Sequence, residues 1–357
     1  MNRILMFVLL GAAFLILYAG INFYVFLRMS NLLGIKRNIY FYLIMAFLAL
    51  SFIISMLIET RFYNIFTRTY YVISATWLGV MFFLACSLII FEIINLIFKV
   101  DKFTAGMVIV VFVALLSIYS LVNASFITVK TIEIPVNNLD KDLKIVQLSD
   151  IHMGTIRTNN FLTNVVDTTN NINPDLVFIT GDLVDGSAPL SNGMFDGINN
   201  IKAPVYFITG NHETYENLSR VFEILKSTKA RVLRNEIVYA KGLQIIGVDY
   251  SMESNYLYKI LPNLKINKNK PTILLYHIPT KVEPLANYSI NLQLSGHTHD
   301  GQIYPFTIFS RMANAYVRGL HNYKDSYVYV SQGTGTWGPP MRFGCNNEIT
   351  IVELKKK

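Results

Sequence analysis

Two histidines separated by one residue, His297 and His299, follow a short apolar run from Ile290 to Leu294 that predicts a strand. The small residues Ser295 and Gly296 lie between this strand and the pair and allow a turn. A His-x-His pair at a strand end can offer nitrogens to two adjacent metal ions. Taken alone, the pair is equally consistent with a polar surface loop, so the ends of the other predicted strands decide between the two interpretations.

Four other predicted strands also end in an oxygen or nitrogen donor. They are followed by Asp150 and His152, by Gly181 and Asp182, by Asn211, His212 and Glu213, and by His277. Open α/β sheets place their ligands at the carboxyl ends of the strands. Five of the six histidines fall in these positions, and only His321, which we expect on the surface or at a rim, does not. The sequence therefore predicts one site built from five strand ends.

The residue types at these ends suit a pair of metal ions. Asp150 and His152, two positions apart, would project to the same side of an extended segment and hold one ion together. Asp182, on a glycine turn, can bridge two cations with its two oxygens. The neutral donors Asn211, His277 and His297 add ligands to the second ion without adding charge.

A pair of metals gives this set of residues a chemistry. Two ions about 3.5–4 Å apart can activate a bridging water and clamp both oxygens of an in-line displacement at phosphorus. Mixed nitrogen and oxygen ligands without a thiolate suit two divalent ions drawn from Mn, Fe, Zn or Co. The predicted reaction is therefore hydrolysis of a phosphate ester.

These motifs together resemble those of the calcineurin-like metallophosphoesterases. The resemblance covers about residues 130–354, and the ending from Gly335 to Arg342 is similar to a bacterial branch that includes membrane-bound and exported phosphodiesterases. It implies a four-layer αββα sandwich with a dinuclear metal site. By motif position, the ligands of the first metal are expected to be Asp150, His152, Asp182 and His299. Those of the second are expected to be Asp182, Asn211, His277 and His297, and His212 matches a catalytic histidine that assists the leaving group without binding metal.

Several charged residues near the motifs have open roles. Asp300 follows His299 where this branch commonly has glycine, and it could repel a phosphate, bind a substrate hydroxyl or face solvent, of which solvent is favoured. Arg157, Arg318 and Arg342 lie in predicted loops and could reach a substrate phosphate with a bidentate fork. Each alone is expected to be a surface charge, and Arg342, beside a stiff Gly-Pro-Pro segment, is the preferred candidate.

The composition places a membrane region before this site. The chain has 357 residues, of which 52% are hydrophobic and 15% charged, and the apolar excess lies in its first third. Up to Val129 there are 8 Lys and Arg against 3 Asp and Glu, a net +5 of the total +8. Because the basic excess lies beside apolar segments, we expect no nucleic-acid partner.

Four apolar runs are long enough to cross a bilayer about 30 Å thick. They are Ile4–Leu27, Ile39–Ile58, Tyr71–Ile97 and Phe103–Val122. Glu92 lies inside the third run, where we expect it to pair with Lys99 at the interface. Residues 1–124 are therefore predicted to be a transmembrane helical region, and residues 125–357 a metallophosphoesterase domain.

Lysines and arginines in the short loops predict the orientation. The first and third loops carry Arg28, Lys36, Arg37, Lys99 and Lys102, and the opposite side carries Arg3, Arg61, Arg68 and Lys130. The bias of five to four places the first and third loops in the cytoplasm. The expected protein is a multi-pass component of the cell membrane with its catalytic domain outside the cytoplasm.

The pattern of residues 125–357 predicts an α/β fold, with short apolar strands separated by segments of helical length. The predicted strands are 126–134, 144–148, 176–180, 205–209, 243–248, 272–276, 290–294 and 327–330, and the predicted helices are 160–170 and 216–228. This alternation is typical of a layered sandwich.

Two classes of function fit these features. The first is a membrane-anchored dinuclear-metal phosphohydrolase that cleaves a phosphodiester or phosphomonoester by attack of a metal-bridging hydroxide, with a lipid-linked or envelope ester among the candidate substrates. The second is a non-catalytic, metal-stabilised binding or sensor module attached to the membrane. A degenerate module would be expected to have lost ligands or His212, and none is lost, so the enzyme is preferred.

Overall fold

The computed structural model describes residues 3–253 and 255–357, so the predicted domain limits include three positions (1, 2 and 254) that lie outside the described residues. The chain forms two compact units. One contains the residues up to Leu121 together with Gly338–Pro340, and the other contains Val122–Trp337 and Met341–Lys357. The division at residue 124 into a membrane region and a catalytic domain stays a prediction.

The described residues of the first unit form four long apolar helices. They are α1 (Arg3–Leu32), α2 (Ile39–Phe62), α3 (Ile65–Ile97) and α4 (Lys102–Asn123). Each is long and apolar enough to cross a membrane, with the candidate span of α1 counted from Leu15. Each helix overlaps one predicted span and extends beyond it, and α2 thereby includes the buried Glu59.

Glu92 of α3 pairs with a different residue from the one we expected. Its carboxylate accepts hydrogen bonds from Nε of Arg28 and from Nη2 of Arg28, the latter at 3.0 Å. The predicted pair with Lys99 is therefore wrong. The physical reason is that Arg28 on α1 can meet both carboxylate oxygens with its planar fork, which Lys99, beyond the end of α3, cannot do.

The second unit is an α/β sandwich. Its strands are β1 (Ile127–Val136), β2 (Leu143–Leu148), β3 (Leu176–Thr180), β4 (Val205–Ile208), β5 (Arg231–Val232), β6 (Glu236–Ala240), β7 (Leu243–Gly247), β8 (Thr272–Leu275), β9 (Leu292–Ser295), β10 (Gly319–Tyr323), β11 (Ser326–Val330) and β12 (Asn347–Lys356). Its helices are α5 (Asn159–Ile172), α6 (Asn211–Tyr215), α7 (Leu218–Leu225), α8 (Tyr256–Ile260) and α9 (Phe306–Ala313).

The strands form two six-stranded mixed sheets. The first has the order β1-β12-β2-β3-β4-β5 and the second the order β10-β11-β9-β8-β7-β6. β2, β3, β4 and β5 are parallel neighbours in the first sheet, and β7, β8, β9 and β11 are parallel neighbours in the second. Parallel neighbours end at the same edge, so each sheet gathers several strand ends at one place.

Alternation along the buried strands creates the layers. In β3, Leu176 and Phe178 pack in the core between the sheets, and Val177 and Ile179 pack in the core beneath α5 and α7. A third core lies on the outer face of the second sheet against α8. Two-residue periodicity thus gives each central strand two apolar faces, and the result is the predicted four-layer αββα sandwich.

A buried polar link joins the sheets near their carboxyl ends. The amide of Gln147, on β2, donates to Thr180 Oγ1 and to the Ser295 carbonyl, each at 2.9 Å. Since Ser295 ends β9, this side chain connects one sheet to the other beside the predicted site. The strands that prediction missed are β5, β6, β10 and β12, and the last of these pairs on both sides with other strands.

Candidate metal centre

Both sheets contribute to the candidate site. In the first sheet, Asp150 and His152 follow β2, Asp182 follows β3, and Asn211 begins α6 after β4. In the second sheet, His277 follows β8, and His297 and His299 follow β9. The structure therefore brings all seven predicted ligands to one edge of the sandwich.

Most of these residues adopt a backbone conformation that L-amino acids rarely use. Asp150, His152 and Asp182 each have φ of +53°, and His297 and His299 have φ of +71° and +49°. The expectation that Asp150 and His152 lie on an extended segment is wrong, because both are left-handed. Such strain costs about 1–3 kcal/mol per residue and persists only where the surroundings fix it.

Two glycines leave room for the candidate ligands. A Cβ at Gly296 would lie 2.1 Å from Asp150 Oδ2, and a Cβ at Gly181 would lie 2.6 Å from His277 Nδ1. Gly181 also has φ of +93°, which favours glycine on its own. The small residues around the histidine pair are thus needed for close approach of side chains as well as for a turn.

The first cluster consists of Asp150, His152 and His299. The Nε2 atoms of the two histidines lie 2.9 Å apart, and His299 Nε2 lies 3.4 Å from Asp150 Oδ1. One donor atom from each of the three residues falls within 4.8 Å of the others, a spacing that could hold a metal ion.

The second cluster consists of Asp182, His277, His297 and Asn211. Asp182 Oδ2 lies 3.2 Å from His277 Nε2. Asn211 Oδ1 lies 3.2 Å from the same nitrogen and 2.8 Å from His297 Nδ1. His277 donates its Nδ1–H to the Thr180 carbonyl at 2.8 Å, which directs Nε2 toward the cluster.

Asp182 faces both clusters through one oxygen. Its Oδ2 lies 3.2 Å from His277 Nε2 and 3.9 Å from His152 Nε2, whereas Oδ1 accepts the backbone N–H of His212 at 2.9 Å. We expected both oxygens to be available for bridging. The second oxygen also accepts a backbone hydrogen bond that orients the turn, and bridging by Asp182 stays a prediction.

Burial controls the protonation of the histidines. It lowers the pKa of His152 to about 3 and that of His297 to about 4, and it lowers the pKa of His299 well below its ordinary value. Burial opposes the charged form of His277 as well, but Asp182 and Asp150 raise its pKa to about 10. Three imidazoles are therefore neutral, as metal ligation requires, and a cation beside Asp182 is strongly favoured.

The donor atoms fit divalent metal ions. Asp150 Oδ2 and His152 Nδ1 have no hydrogen-bond partner among the described residues, although both residues are fully buried. The unpartnered Asp150 oxygen and the Nε2 atoms of His152 and His299, which face each other at 2.9 Å, are costly without a cation to accept their lone pairs. The set of donors is what a pair of N/O-ligated metals needs.

His212 lies beside the clusters in a different orientation from Asn211. Its Nδ1–H donates to the Asp185 carbonyl at 3.1 Å, which leaves Nε2 available. Its ring makes edge contacts with His152 at 4.7 Å and with Trp337 at 5.6 Å between centroids. Its atoms also fall within the metal-holding spacing of His152 and Asp182, so the geometry leaves both a ligand and a proton-transfer role open.

Glu213 is a site residue to which sequence reasoning assigned no role. One oxygen of its fully buried carboxylate accepts from the N–H groups of Leu183 and Val184, at 2.7 and 3.3 Å, and the other from those of Asp182 and Gly210, at 3.0 and 2.6 Å. Burial and the Asp182 carboxylate raise the pKa of Glu213 to about 7, and the backbone donors oppose that rise. Its position directly after His212 in the sequence is the feature from which a role for Glu213 could have been predicted.

Arg342 and Arg157, which we considered as candidate phosphate-binding residues, are buried and donate their hydrogen bonds to other groups of the protein. Arg342 is fully buried and donates to the carbonyls of His299 and Gly335, at 3.0 and 2.6 Å, so the expectation that it reaches substrate is wrong. Arg157 is also buried and donates to Thr336. These guanidinium groups find several carbonyl and hydroxyl acceptors inside the loop after β11, and these acceptors keep them from the surface.

Asp300 does not face solvent as we expected. It is 1% exposed, and its Oδ2 accepts from Arg318 Nη1 at 2.7 Å. Burial raises the pKa of Asp300, and Arg318 opposes the rise. The left-handed turn at Asp300, with φ of +50°, directs the side chain inward toward Arg318.

Comparisons with known proteins agree with this geometry. Residues 143–301 match the sequence model of a family described as calcineurin-like phosphoesterase. An uncharacterized metallophosphoesterase of Helicobacter pylori is 35% identical over 64% of this chain, and the matched region spans 64% of that relative's length. An uncharacterized metallophosphoesterase of Campylobacter jejuni is 30% identical over 99% of this chain and 100% of the relative. A bovine protein named transmembrane protein with metallophosphoesterase domain is 35% identical over 67% of this chain and 60% of its own length.

Replacing Glu213 should loosen the turns that carry Asp182 and Asn211. In Glu213→Gln, an amide group that cannot accept would face backbone N–H donors and leave them unsatisfied. We expect amide hydrogen exchange in peptides covering residues 181–184 to be roughly tenfold faster or more, as a loss of about 1.4 kcal/mol implies.

The matched control is Glu223→Gln on α7, where the carboxylate is 64% exposed and pairs with Arg220 one turn away on the same helix. It should leave exchange at residues 181–184 unchanged. Equal exchange in the Glu213 variant and the unmodified protein would show that the carboxylate does not hold these turns.

Proposed function

This chain belongs to the calcineurin-like metallophosphoesterase family, and we propose that it is a membrane-anchored phosphohydrolase that uses two divalent metal ions to cleave a phosphodiester or phosphomonoester. The observation that carries the proposal is the pair of adjacent His/Asp clusters, with Asp182 Oδ2 facing a histidine of each. A phosphate ester held in the membrane or cell envelope is the proposed class of substrate.

We assign the ligands from the two clusters. Asp150, His152, Asp182 and His299 would hold the first ion. Asp182, Asn211, His277 and His297 would hold the second, and the proposed metals are Mn, Fe, Zn or Co. When bound, such ions supply a water-derived nucleophile at neutral pH and Lewis-acid stabilisation of the phosphoryl oxygens.

The residues of the chain then orient and protonate the substrate. The Asp185 carbonyl holds the His212 ring by its Nδ1–H. This leaves Nε2 available, and in the proposed mechanism Nε2 would face the leaving oxygen. Burial lowers the pKa of His212, whereas an anionic phosphate beside the ring would favour its protonated form. As the phosphorus–oxygen bond breaks, His212 transfers this proton to the leaving oxygen.

A non-catalytic metal-stabilised module is the alternative. Such a module would be expected to have lost a ligand or His212. All seven candidate ligands and His212 are present and converge at one edge of the sandwich, which supports the enzyme. Hydrolysis of a panel of mono- and diesters by the full chain in detergent, with Mn or Zn added, tests the proposal, and no turnover with metals bound would support the module.

The four apolar helices support attachment to the cell membrane by several spans. The name of the bovine relative includes a transmembrane assignment. From the lysine and arginine bias of the loops, we place the catalytic unit outside the cytoplasm.

Replacing single carboxylates should show which residues bind each of the two proposed metal ions. Asp182→Asn is expected to weaken both sites, because Asp182 Oδ2 faces both clusters, whereas Asp150→Asn should weaken mainly the first. Metal content after dialysis, measured by mass spectrometry, checks this. Asp167→Asn on the exposed face of α5 is the control and should keep both metals. Two metals and full activity in the Asp182 variant would remove the bridging assignment.

His212→Ala should keep its metals and its fold but lose turnover. A positioned proton donor contributes about 10²–10⁴ in rate. The loss should be large for an alkyl ester and small for a p-nitrophenyl ester, whose leaving group needs little protonation. His321→Ala, which removes a ring stacked on Tyr316, is the control and should leave both rates unchanged.

The metal content of the His212 variant separates its two possible roles. Equal losses on both esters with metals retained would argue against the proton donor. Equal losses with a missing metal would make His212 a ligand.

The proposed orientation predicts which surfaces are accessible on intact cells. In a Cys86→Ser background, a cysteine replacing the exposed Asn287 should react with an impermeant reagent on intact cells. A cysteine replacing Lys36, in the first loop, should react only after lysis. The reverse pattern would place the catalytic unit in the cytoplasm.

A further inference from the structure

In the short helix α9, polar side chains face the protein and apolar side chains face outward, which is the reverse of a surface helix in a soluble protein. Its buried positions include Thr307 and Ser310, both 8% exposed. Phe306, Phe309 and Met312 are 51%, 59% and 81% exposed. The hydroxyl of Thr307 donates to the Asp300 carbonyl at 2.8 Å, so the polar side is held by the protein. Because the polar side is bonded to the protein, the apolar side of α9 faces outward. Exposed apolar patches of this kind mark binding surfaces.

The exposed apolar surface extends from α9 to the candidate metal centre. Tyr304 and Trp337 are 51% and 56% exposed. Gln302 joins the two segments, because its side chain accepts from the Trp337 N–H and donates to the Trp337 carbonyl, at 3.0 and 2.9 Å. The Trp337 ring in turn contacts His212. We call Tyr304, Phe306, Phe309, Met312 and Trp337 the apolar rim.

Hydrogen bonds place the apolar rim near the point where the chain enters the second unit. Asn123 donates to the carbonyls of Arg342 and Cys345, at 3.1 and 2.9 Å. Between those two residues, the Phe343 carbonyl accepts from the Tyr304 N–H at 2.9 Å. Asn123 is the last residue of α4, a helix apolar enough to span a membrane. The chain therefore passes from α4 into the second unit at a point close to Tyr304 of the apolar rim.

The charges of the segment that contains α9 indicate what kind of surface the apolar rim could bind. From Gln302 to Lys324 the sequence contains Arg311, Arg318 and Lys324 and no acidic residue, and of the three basic residues Arg318 is paired with Asp300. Arg311 lies on α9 and is exposed. Aromatic and aliphatic side chains accompanied by basic residues favour the headgroup region of an anionic bilayer. A second protein copy or a soluble partner would not account for the position of the rim beside the end of α4.

We propose that the apolar rim inserts into the surface of the anionic lipid bilayer in which the chain is anchored. This inference rests on the proposed membrane attachment and gives the substrate a location. A phosphate ester whose hydrophobic part stays in the bilayer would present its headgroup to the metal centre beside Trp337 and His212. The substrate class is therefore an amphiphilic phosphate ester.

The test measures how deeply the rim penetrates a bilayer. The full chain in a Cys86→Ser background, with Met312→Cys labelled by an environment-sensitive fluorophore, is placed in nanodiscs of equal phosphatidylcholine and phosphatidylglycerol that contain spin-labelled lipid. The native Cys345 is 6% exposed, and its labelling is checked in the parent protein. The matched control is Tyr239→Cys, which is 60% exposed on β6, at the opposite edge of the sheet from β10.

We expect quenching by the spin-labelled lipid to be about threefold or more stronger at residue 312 than at residue 239. It should weaken when phosphatidylglycerol is replaced by phosphatidylcholine, because the basic residues then lose their anionic partners. Equal, weak quenching at both positions would overturn the proposal. Weak quenching at residue 312, together with disulfide-linked dimers of the unlabelled Met312→Cys variant, would overturn it in favour of a second copy.

A separate assay keeps this inference distinct from the proposed hydrolysis. Turnover of bis(p-nitrophenyl) phosphate, which is soluble and needs no bilayer, is measured on the same nanodiscs. Turnover without quenching at residue 312 would overturn the inserted rim and leave the hydrolase standing. Quenching without turnover would support the rim and count against the hydrolase.

Discussion

The buried carboxylate of Glu213 is the interaction on which the candidate metal centre depends. It accepts four backbone N–H groups from two turns, one carrying Asp182 and the other leading into Asn211. Without it, these donors would be buried and unsatisfied at a cost of about 1–3 kcal/mol each. Asp182 Oδ1 adds a bond to the His212 N–H, so the two turns are joined in both directions. The first sheet thereby presents its donors as one rigid unit to the histidines of the second sheet.

Strain and burial then prepare those donors for metal. Five of the seven candidate ligands have left-handed backbones, which only a surrounding hydrogen-bond network keeps in place. The Gln147 amide between the sheets and the fully buried Arg342 beside the His299 carbonyl are part of that network. Burial keeps His152, His297 and His299 neutral, while Asp182 attracts positive charge. Burial of these side chains costs free energy when no metal is bound. The same burial becomes favourable once cations accept the lone pairs of the side chains.

The segment after β9 that carries two candidate ligands also carries most of the exposed apolar rim. The loops after β9 and β11 hold Asp300, Arg342 and Gln302 inward and leave Phe309, Met312 and Trp337 outward. Because Gln302 ties Trp337 to the segment that begins α9, the metal ligands and the apolar rim form one continuous structure. Under the proposed function, a substrate would meet the rim and the metal centre together, and this is the basis for proposing an ester that belongs to a membrane.

The sequence by itself determined the family, the sandwich, the four apolar helices and the residues that converge. Donors that follow buried strands must meet at a sheet edge, and apolar runs of twenty or more residues have no polar face, so both features follow from local pattern. Only the tertiary structure decided how these residues are used. Asp150 and His152 converge through left-handed turns, and Asp182 faces both clusters with a single oxygen. Arg342 and Asp300 are buried, and Glu92 pairs with Arg28. Each of these outcomes depends on which group from a distant part of the chain lies within 3–4 Å, and that distance is set by packing between elements, which local sequence does not encode.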